Sequence, residues 1–254
     1  MRNFEGIKAE AEAYYKTPEY LEGVEIIRAI FAQIRGKVFA FDLDGTLVDG
    51  VEASGVEDSV LLRPYANEIL QIVAESRNRV ILWTGASLAR VRHAESSSGL
   101  VLPKDTKIIA REDNANMVAG ACHRASEGVV FNAEDCAWED FCLGLVKIPL
   151  LFGVDFLFDD FVDWHKKRGK KVMSPYNDDD KFIKVPPFNL NTMAHPSVHS
   201  RDFGLLAASM DAGEACEASI DRSLLERFQQ RFLDKNNDYL GLRFRLARLL
   251  RAYR

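Results

Sequence analysis

KVFAFDLDGTLVDG, residues 37–50, is the stretch of sequence that decides the fold. It begins with an apolar run, Val38 to Phe41, which has the length and the aromatic and β-branched character of a buried strand. The run stops on two carboxylates, Asp42 and Asp44, which are followed by a turn residue, Gly45. In open α/β sheets, binding and catalysis occur just past the carboxyl ends of the strands. The stretch therefore predicts a buried strand with a functional site at its end.

Asp42 and Asp44 are placed to share that site, because side chains at positions i and i+2 of an extended backbone point to the same side. Two carboxylates that lie close together repel each other unless a cation joins them. Oxygen ligands with little else nearby suit magnesium. The pair therefore predicts a Mg2+ site.

A second buried strand, Arg79 to Trp83, also runs into polar residues. Thr84 and Gly85 follow it directly, and Ser87 is placed to cap a helix that continues to about Ser97. A hydroxyl and free backbone N–H groups at a junction between a strand and a helix form an anion site. This junction is therefore a candidate phosphate-binding turn.

A third short apolar strand, Phe156 to Phe158, ends on the paired carboxylates Asp159 and Asp160. Asp163 is a further acidic candidate one helical turn later. Three strands of the predicted sheet thus end on groups that bind metals or anions, and parallel strands bring such ends to one edge.

These pieces, in this order, resemble the haloacid dehalogenase (HAD) superfamily of aspartate-nucleophile phosphatases. The residues Asp42 to Thr46 look like its first motif, DxDGT, Thr84 looks like the second, and the Asp159–Asp160 pair looks like the fourth. The RPY segment at 63–65 and the WTGAS segment at 83–87 resemble the NLI-interacting-factor-like, CTD-phosphatase-type branch. The chain departs from that branch at Gly45, where Glu is usual, and at Gly85, where the branch has no glycine.

The resemblance implies a role for each of these residues. The third motif of the family is a lysine, and Lys147 stands about a dozen residues before the acidic pair, as in the CTD-phosphatase-like branch; Lys104 and Lys107 are alternatives by order. The implied catalytic residues are Asp42 as nucleophile, Asp44 as general acid and base, Thr84 and Lys147. The implied phosphate-binding residues are Thr84, Gly85 and Lys147. The implied Mg2+ ligands are Asp42, Asp44 through its backbone carbonyl, Asp159 and Asp160.

The expected fold is α/β, a three-layer HAD Rossmann-like arrangement with a mainly parallel sheet and a small insert instead of a large cap. Residues 1–36 are predicted to be an N-terminal helical segment, and residues 37–175 the core, with the insert near 100–145. Short strands are also expected at 107–110, 128–131 and 172–173. Residues 176–254 are predicted to be a loop, extending over about 174–201, followed by C-terminal amphipathic helices packed on the core.

Composition indicates an ordinary soluble protein. The chain has 254 residues, 47% of them hydrophobic and 28% charged, and no apolar stretch is long enough for a membrane span. Four cysteines do not form a disulfide framework, and the first residues have no apolar signal region, so a reducing cytoplasm is expected.

Charge is unevenly distributed. The net charge is −5, but residues 222–254 carry nine Lys or Arg against three Asp or Glu, a local balance of +6. The C-terminal helices are therefore read either as helices that simply pack on the domain or as a docking surface for an acidic partner or RNA.

The predicted function is Mg2+-dependent hydrolysis of a phosphate monoester through an aspartyl-phosphate, with a phosphoprotein as the favoured substrate. A small phosphorylated metabolite and a polynucleotide 3′-phosphate are alternative substrates. A HAD scaffold that binds a partner without turnover is the alternative from another functional class.

Overall fold

A computed structural model describes residues 4–31, 34–49, 60–125, 128–178, 181–185 and 188. The predicted C-terminal helices at 220–254 lie outside these residues, as does the part of the predicted loop after Phe188. Among the helices of the described part, none is long and apolar enough to cross a membrane.

The centre of the fold is a five-stranded sheet in which every pair of neighbouring strands is parallel. The spatial order is β3-β2-β1-β5-β7, so the strand that starts the decisive stretch lies in the middle. Phe41 of β1 is in register with Leu82 of β2 and with Phe158 of β5. The strands are β1 (Val38–Phe41), β2 (Arg79–Trp83), β3 (Lys107–Ile109), β5 (Phe156–Asp159) and β7 (Phe182–Lys184).

Two of the predicted strands lie outside this sheet. β4 (Val130–Phe131) and β6 (Met173–Ser174) pair antiparallel with each other and form a separate ribbon. Each contributes only two residues to this ribbon.

The predicted loop at 174–201 is wrong in its first part, because it contains β7. This strand extends the main sheet by pairing with β5, with Phe158 opposite Ile183. Phe182 and Ile183 are buried on opposite faces of the sheet, which is the alternation expected of a strand.

Helices cover both faces of the sheet, and this confirms the α/β prediction. Phe39 and Phe41 point to one face, where they join the helices before and after β2. Val38 and Ala40 point to the other face, where they meet Val162. The helices are α1 (Phe4–Tyr14), α2 (Pro18–Phe31), α3 (Ala66–Glu75), α4 (Leu88–Ser98), α5 (Arg111–Arg124), α6 (Cys136–Cys142) and α7 (Val162–Val172).

The region predicted as an insert is largely helical. α5 and α6 bury Val118 and Phe141 in a small cluster that also contains Val146 and Ile148. The cluster therefore lies next to Lys147 in sequence, and it supports the segment that delivers this lysine to the site.

The two N-terminal helices share the main hydrophobic core. Tyr20 stacks on Tyr65 with ring centroids 4.3 Å apart, and Phe31 meets Phe39 of β1 edge to face at 5.3 Å. Because Phe31 is fully buried against the central strand, α2 is expected to unfold together with the sheet.

Phe31→Ala should therefore lower the free energy of unfolding by about 3–5 kcal/mol, the usual cost of truncating a buried phenylalanine. Leu21→Ala is the matched control, because Leu21 lies on the same helix and is 57% exposed. It should change stability by no more than about 0.5 kcal/mol. Urea denaturation measures both values, and equal small losses would show that α2 is not part of the cooperative unit.

Candidate active site

Three carboxylates meet at the carboxyl ends of β1 and β5. The parallel register that pairs Phe41 with Phe158 brings the next residues, Asp42 and Asp159, side by side, and the N–H of Asp42 donates to the carbonyl of Phe158 at 2.9 Å. Asp160 completes the group. Oxygens of these three side chains lie within 4.8 Å of one another, which is close enough to share one metal ion.

Lys147 lies between two of these carboxylates. Its ammonium donates to Asp42 Oδ1 at 2.6 Å and to Asp159 Oδ2 at 2.7 Å, and its side chain is only 4% exposed. Burial alone would lower the pKa of this ammonium, but Asp159 and Asp42 raise it above its usual value. Lys104 and Lys107 are exposed. Of the three candidate lysines, Lys147 is thus the one whose ammonium contacts the carboxylates.

Asp159 is engaged through both of its oxygens. Oδ1 accepts the N–H of Phe161 at 2.7 Å, while Oδ2 accepts the ammonium of Lys147 and also lies 3.1 Å from His165 Nε2. Burial would raise the pKa of Asp159, but Lys147 and His165 hold it well below its usual range. Asp159 is therefore ionised and firmly held by the protein.

The pKa values of Asp42 and Asp160 are shifted in the opposite direction to that of Asp159. Burial raises the pKa of Asp42, and the neighbouring charge of Asp159 raises it further, against the lowering effect of Lys147. Burial and Asp159 likewise raise the pKa of Asp160 to about 6, in spite of Lys147 and Arg63. Burial and the charge of Asp159 thus disfavour the ionised forms of Asp42 and Asp160, whereas Asp159 itself is ionised.

The turn after Asp44 is shaped to accommodate Asp160. Gly45 has a φ of +77°, and a Cβ atom there would lie 2.5 Å from Asp160 Oδ2. Thr46 Oγ1 lies 3.5 Å from Asp160 Oδ1. Only glycine satisfies both the left-handed backbone and the close approach of the carboxylate.

The carboxylate of Asp44 is not part of the three-carboxylate cluster; it pairs with Arg90 in the first turn of α4. Arg90 Nη2 and Nε both donate to Asp44 Oδ1, at 2.7 and 3.0 Å, and Nη2 also reaches the carbonyl of Asp49 at 3.3 Å. The predicted metal contact of Asp44 is through its backbone carbonyl and remains a prediction.

Thr84 and Gly85 form the turn between β2 and α4, as expected. Thr84 Oγ1 accepts the N–H of Ala86 at 3.0 Å, so its hydroxyl proton remains available for another acceptor. Thr84 is 2% exposed. Ser87 caps α4 by accepting the N–H of Arg90 at 3.2 Å, which confirms the predicted helix start. Within the described ranges, the N–H of Gly85 has no acceptor.

Three features of the site were not predicted from the sequence. His165 and Arg90 contact the predicted acidic residues, and Asp163 points elsewhere, into an exposed ion pair with Lys184. Arg90 and His165 are single polar residues on helices, and such residues give no periodic or spacing signal. His165 stands six residues after Asp159, and Arg90 stands three residues after Ser87. These two short separations are the only hint that the sequence contains.

Comparison with known proteins adds no relative: no family model matches the chain, and no curated protein matches it significantly.

Gly45→Ala should destabilise the protein more than Gly36→Ala. Both glycines have a left-handed φ, but a Cβ at Gly36 would meet nothing within 4 Å, whereas one at Gly45 would collide with Asp160. Gly36→Ala should lower the free energy of unfolding by about 1–2 kcal/mol, because it introduces only the strain of a left-handed backbone. Urea denaturation gives both values, and equal losses would contradict the close packing of Asp160 on the turn.

The raised pKa of Asp160 predicts a pH dependence of stability. Without a bound metal, the folded protein keeps this proton up to pH of about 6, whereas the unfolded chain loses it near 3.8. The stabilising contribution is therefore complete below pH 3.8 and is lost as pH rises through about 6. Asp160→Asn should flatten the fall in the free energy of unfolding over this window.

The measurement is urea denaturation in EDTA at a series of pH values. Asp163→Asn is the control, because Asp163 is an exposed carboxylate whose ion pair with Lys184 lowers its pKa. That variant should keep the fall. If the free energy of unfolding falls equally with pH in wild type and Asp160→Asn, the pKa of Asp160 in the folded state is not raised.

Proposed function

We propose that this protein is a Mg2+-dependent phosphatase of the HAD type, which hydrolyses a phosphate monoester through an aspartyl-phosphate on Asp42. The observation that carries the proposal is the position of Lys147, whose ammonium touches Asp42 and Asp159 at 2.6 and 2.7 Å beside a third carboxylate. The motif resemblance of the sequence supports the same assignment.

A divalent cation fits the residues present. The three carboxylates offer only oxygen donors, and burial, together with the charge of Asp159, raises the pKa of Asp42 and of Asp160, so a bound cation would favour their ionised forms. Asp42 and Asp160 would hold Mg2+ together with the backbone carbonyl of Asp44. Because both oxygens of Asp159 already accept hydrogen bonds, Asp159 would act mainly as the anchor of Lys147. When bound, Mg2+ would neutralise charge on the phosphoryl oxygens.

Asp42 is suited to act as the nucleophile. It directly follows the central strand, its side chain is 13% exposed, and Lys147 fixes it through Oδ1. Burial raises the pKa of Asp42, but Lys147 lowers it and a bound Mg2+ would lower it further, and the ionised carboxylate needs no general base to become nucleophilic. Attack on phosphorus would form an acyl phosphate and expel the leaving oxygen, and water would then cleave the acyl phosphate to phosphate and free Asp42.

Asp44 would protonate the leaving oxygen and then take a proton from the attacking water. Its side chain is 24% exposed, so water and a substrate can reach it. The Nε and Nη2 groups of Arg90 both donate to the same oxygen, Oδ1. Within the part of the chain that the structure describes, Oδ2 has no partner, and this oxygen would carry the proton.

The phosphoryl group would be held between Lys147 and the turn after β2. The hydroxyl of Thr84 and the N–H of Gly85 have donor capacity to spare there. Fixed donors of this kind stabilise the transition state more than water does, because they need not reorient as negative charge develops on the phosphoryl oxygens. A phosphoprotein is the proposed substrate, on the strength of the resemblance to the CTD-phosphatase-type branch.

The first test is release of p-nitrophenol from p-nitrophenyl phosphate, with Mg2+ and with EDTA, by wild type and Asp42→Asn. We expect turnover that requires Mg2+ and falls to background in the variant, because the amide is not a nucleophile. Asp163→Asn is the matched control, an equal change at an exposed aspartate outside the site, and should keep full turnover.

Absence of turnover from folded wild type would be followed by binding of BeF3−, which mimics a phosphoryl group on an aspartate. Binding that depends on Asp42 would indicate a site closed to aryl phosphates. Absence of binding would contradict the proposal and favour a non-catalytic scaffold. For an active protein, a phosphopeptide, a phosphorylated metabolite and a 3′-phospho-oligonucleotide distinguish the substrate classes.

A further inference from the structure

His165 is a buried imidazole that contacts two parts of the site at once. It lies on α7, six residues after Asp159, and is 4% exposed. Its Nε2 is 3.1 Å from Asp159 Oδ2, and its Nδ1 accepts the backbone N–H of Lys147 at 3.3 Å. One ring therefore joins the segment that carries the lysine to the carboxylate that the lysine contacts.

The two contacts determine which nitrogen carries the proton. A backbone N–H can only donate, so Nδ1 must accept and cannot hold a hydrogen in this arrangement. The ring proton is therefore on Nε2 and points at Asp159 Oδ2. This oxygen then accepts two hydrogen bonds, one from the imidazole and one from the ammonium of Lys147 at 2.7 Å.

The ring itself is fixed by its neighbours. It stacks on Phe182 of β7 with centroids 6.0 Å apart and meets Trp164 edge to face at 5.5 Å. The titratable and charged groups in contact with it are Asp159 and, through the backbone, Lys147. Asp159 Oδ1 is held separately by the N–H of Phe161. The imidazole is therefore a fixed donor to Oδ2, the oxygen that the ammonium of Lys147 also contacts.

We propose that His165 is a positioning residue for this site: its Nε2–H orients Asp159 Oδ2, and Asp159 in turn holds the ammonium of Lys147 against Asp42. The inference rests on the proposed function. Without the imidazole, Asp159 Oδ2 loses one of its two donors and turns toward Lys147 alone. The ammonium is then less well placed for Asp42 and for the phosphoryl group.

Three substitutions separate the two bonds of the ring. His165→Phe keeps an aromatic ring next to Phe182 but removes both hydrogen bonds. In His165→Gln the amide reaches about as far as Nε2 and still donates to Asp159. In His165→Asn the amide reaches only about as far as Nδ1, so it accepts from Lys147 but does not reach Asp159. His123→Gln, an exposed histidine on α5, is the control.

The measurements are kcat and KM per folded protein with p-nitrophenyl phosphate at saturating Mg2+, together with the midpoint of thermal unfolding. We expect kcat of His165→Phe and His165→Asn to fall by about 10–100-fold, as is usual when a group that orients a metal-site residue is removed. His165→Gln should recover most of this loss, although it also lacks the bond to Lys147 and unfolds at a lower temperature. His123→Gln should match wild type.

A readout that does not depend on turnover checks the bonding itself. Long-range 1H–15N spectra of the 15N-histidine-labelled protein report the tautomer of each ring, and the signals that disappear in His165→Gln belong to His165. We expect the proton on Nε2. A proton on Nδ1 would overturn the proposal, because the ring could not then accept from Lys147.

The kinetic outcomes also decide between the proposal and simple packing. If all three variants unfold at a lower temperature but keep the wild-type kcat, His165 is only structural and the proposal is overturned. Rescue by Asn and not by Gln would overturn it as well, because the bond to Lys147 would then be the one that matters. A wild type without Mg2+-dependent turnover would instead overturn the proposed function, and with it this inference.

Discussion

The burial of Lys147 between Asp42 and Asp159 is the interaction on which the site depends. The parallel pairing of β1 and β5 brings together the charges of Asp42, which follows β1, and Asp159, which ends β5. Buried carboxylates are costly unless a cation pairs with them. The ammonium of Lys147 pairs with both. Replacing it by an apolar group would leave the charges of Asp42 and Asp159 buried without this cation. The local fold and the proposed chemistry therefore require the same residue.

The segment that delivers this lysine is fixed by the helices of the insert. The N–H groups of Leu145 and Val146 both donate to the carbonyl of Asp140 in α6. Gly144 has a φ of +73°, and a Cβ there would overlap the side chain of Asn114 on α5, which accepts a hydrogen bond from the indole of Trp83. A contact chain thus runs from β2 through the insert to Lys147. The insert also borders the turn after β2, because Arg111 Nε donates to the carbonyl of Gly85 at 2.7 Å.

The sequence predicted the strands that carry the site better than the rest of the sheet. β1, β2 and β5 are apolar runs that stop abruptly at polar residues, and both the run and its end are visible along the chain. β7 was missed, because three residues beside an acidic run and two prolines do not form a pattern. β4 and β6 were found but could not be assigned to a separate ribbon, since pairing is a tertiary property.

The same distinction applies to the side chains. Asp42 and Asp44 follow β1 and Asp159 ends β5, so sequence position alone places them at one edge of the sheet. Lys147 and His165 reach that edge from a loop and a helix, and only the packing of α7 on the insert brings them there. A resemblance to known motifs pointed to the lysine. No comparable pattern exists for the histidine, because its two partners are eighteen residues and six residues away.

The environments of Asp42 and Asp44 differ in the way that the two proposed roles require. Asp42 is held by a buried ammonium next to other carboxylates, in a place where a cation can share its charge. Asp44 lies toward solvent, and Arg90 binds only its Oδ1. A group that must gain and lose a proton in each cycle needs one oxygen that no fixed cation holds. Of the two aspartates, Asp44 has that oxygen at the more exposed position, which supports the proposed acid and base role for Asp44 and the proposed nucleophilic role for Asp42.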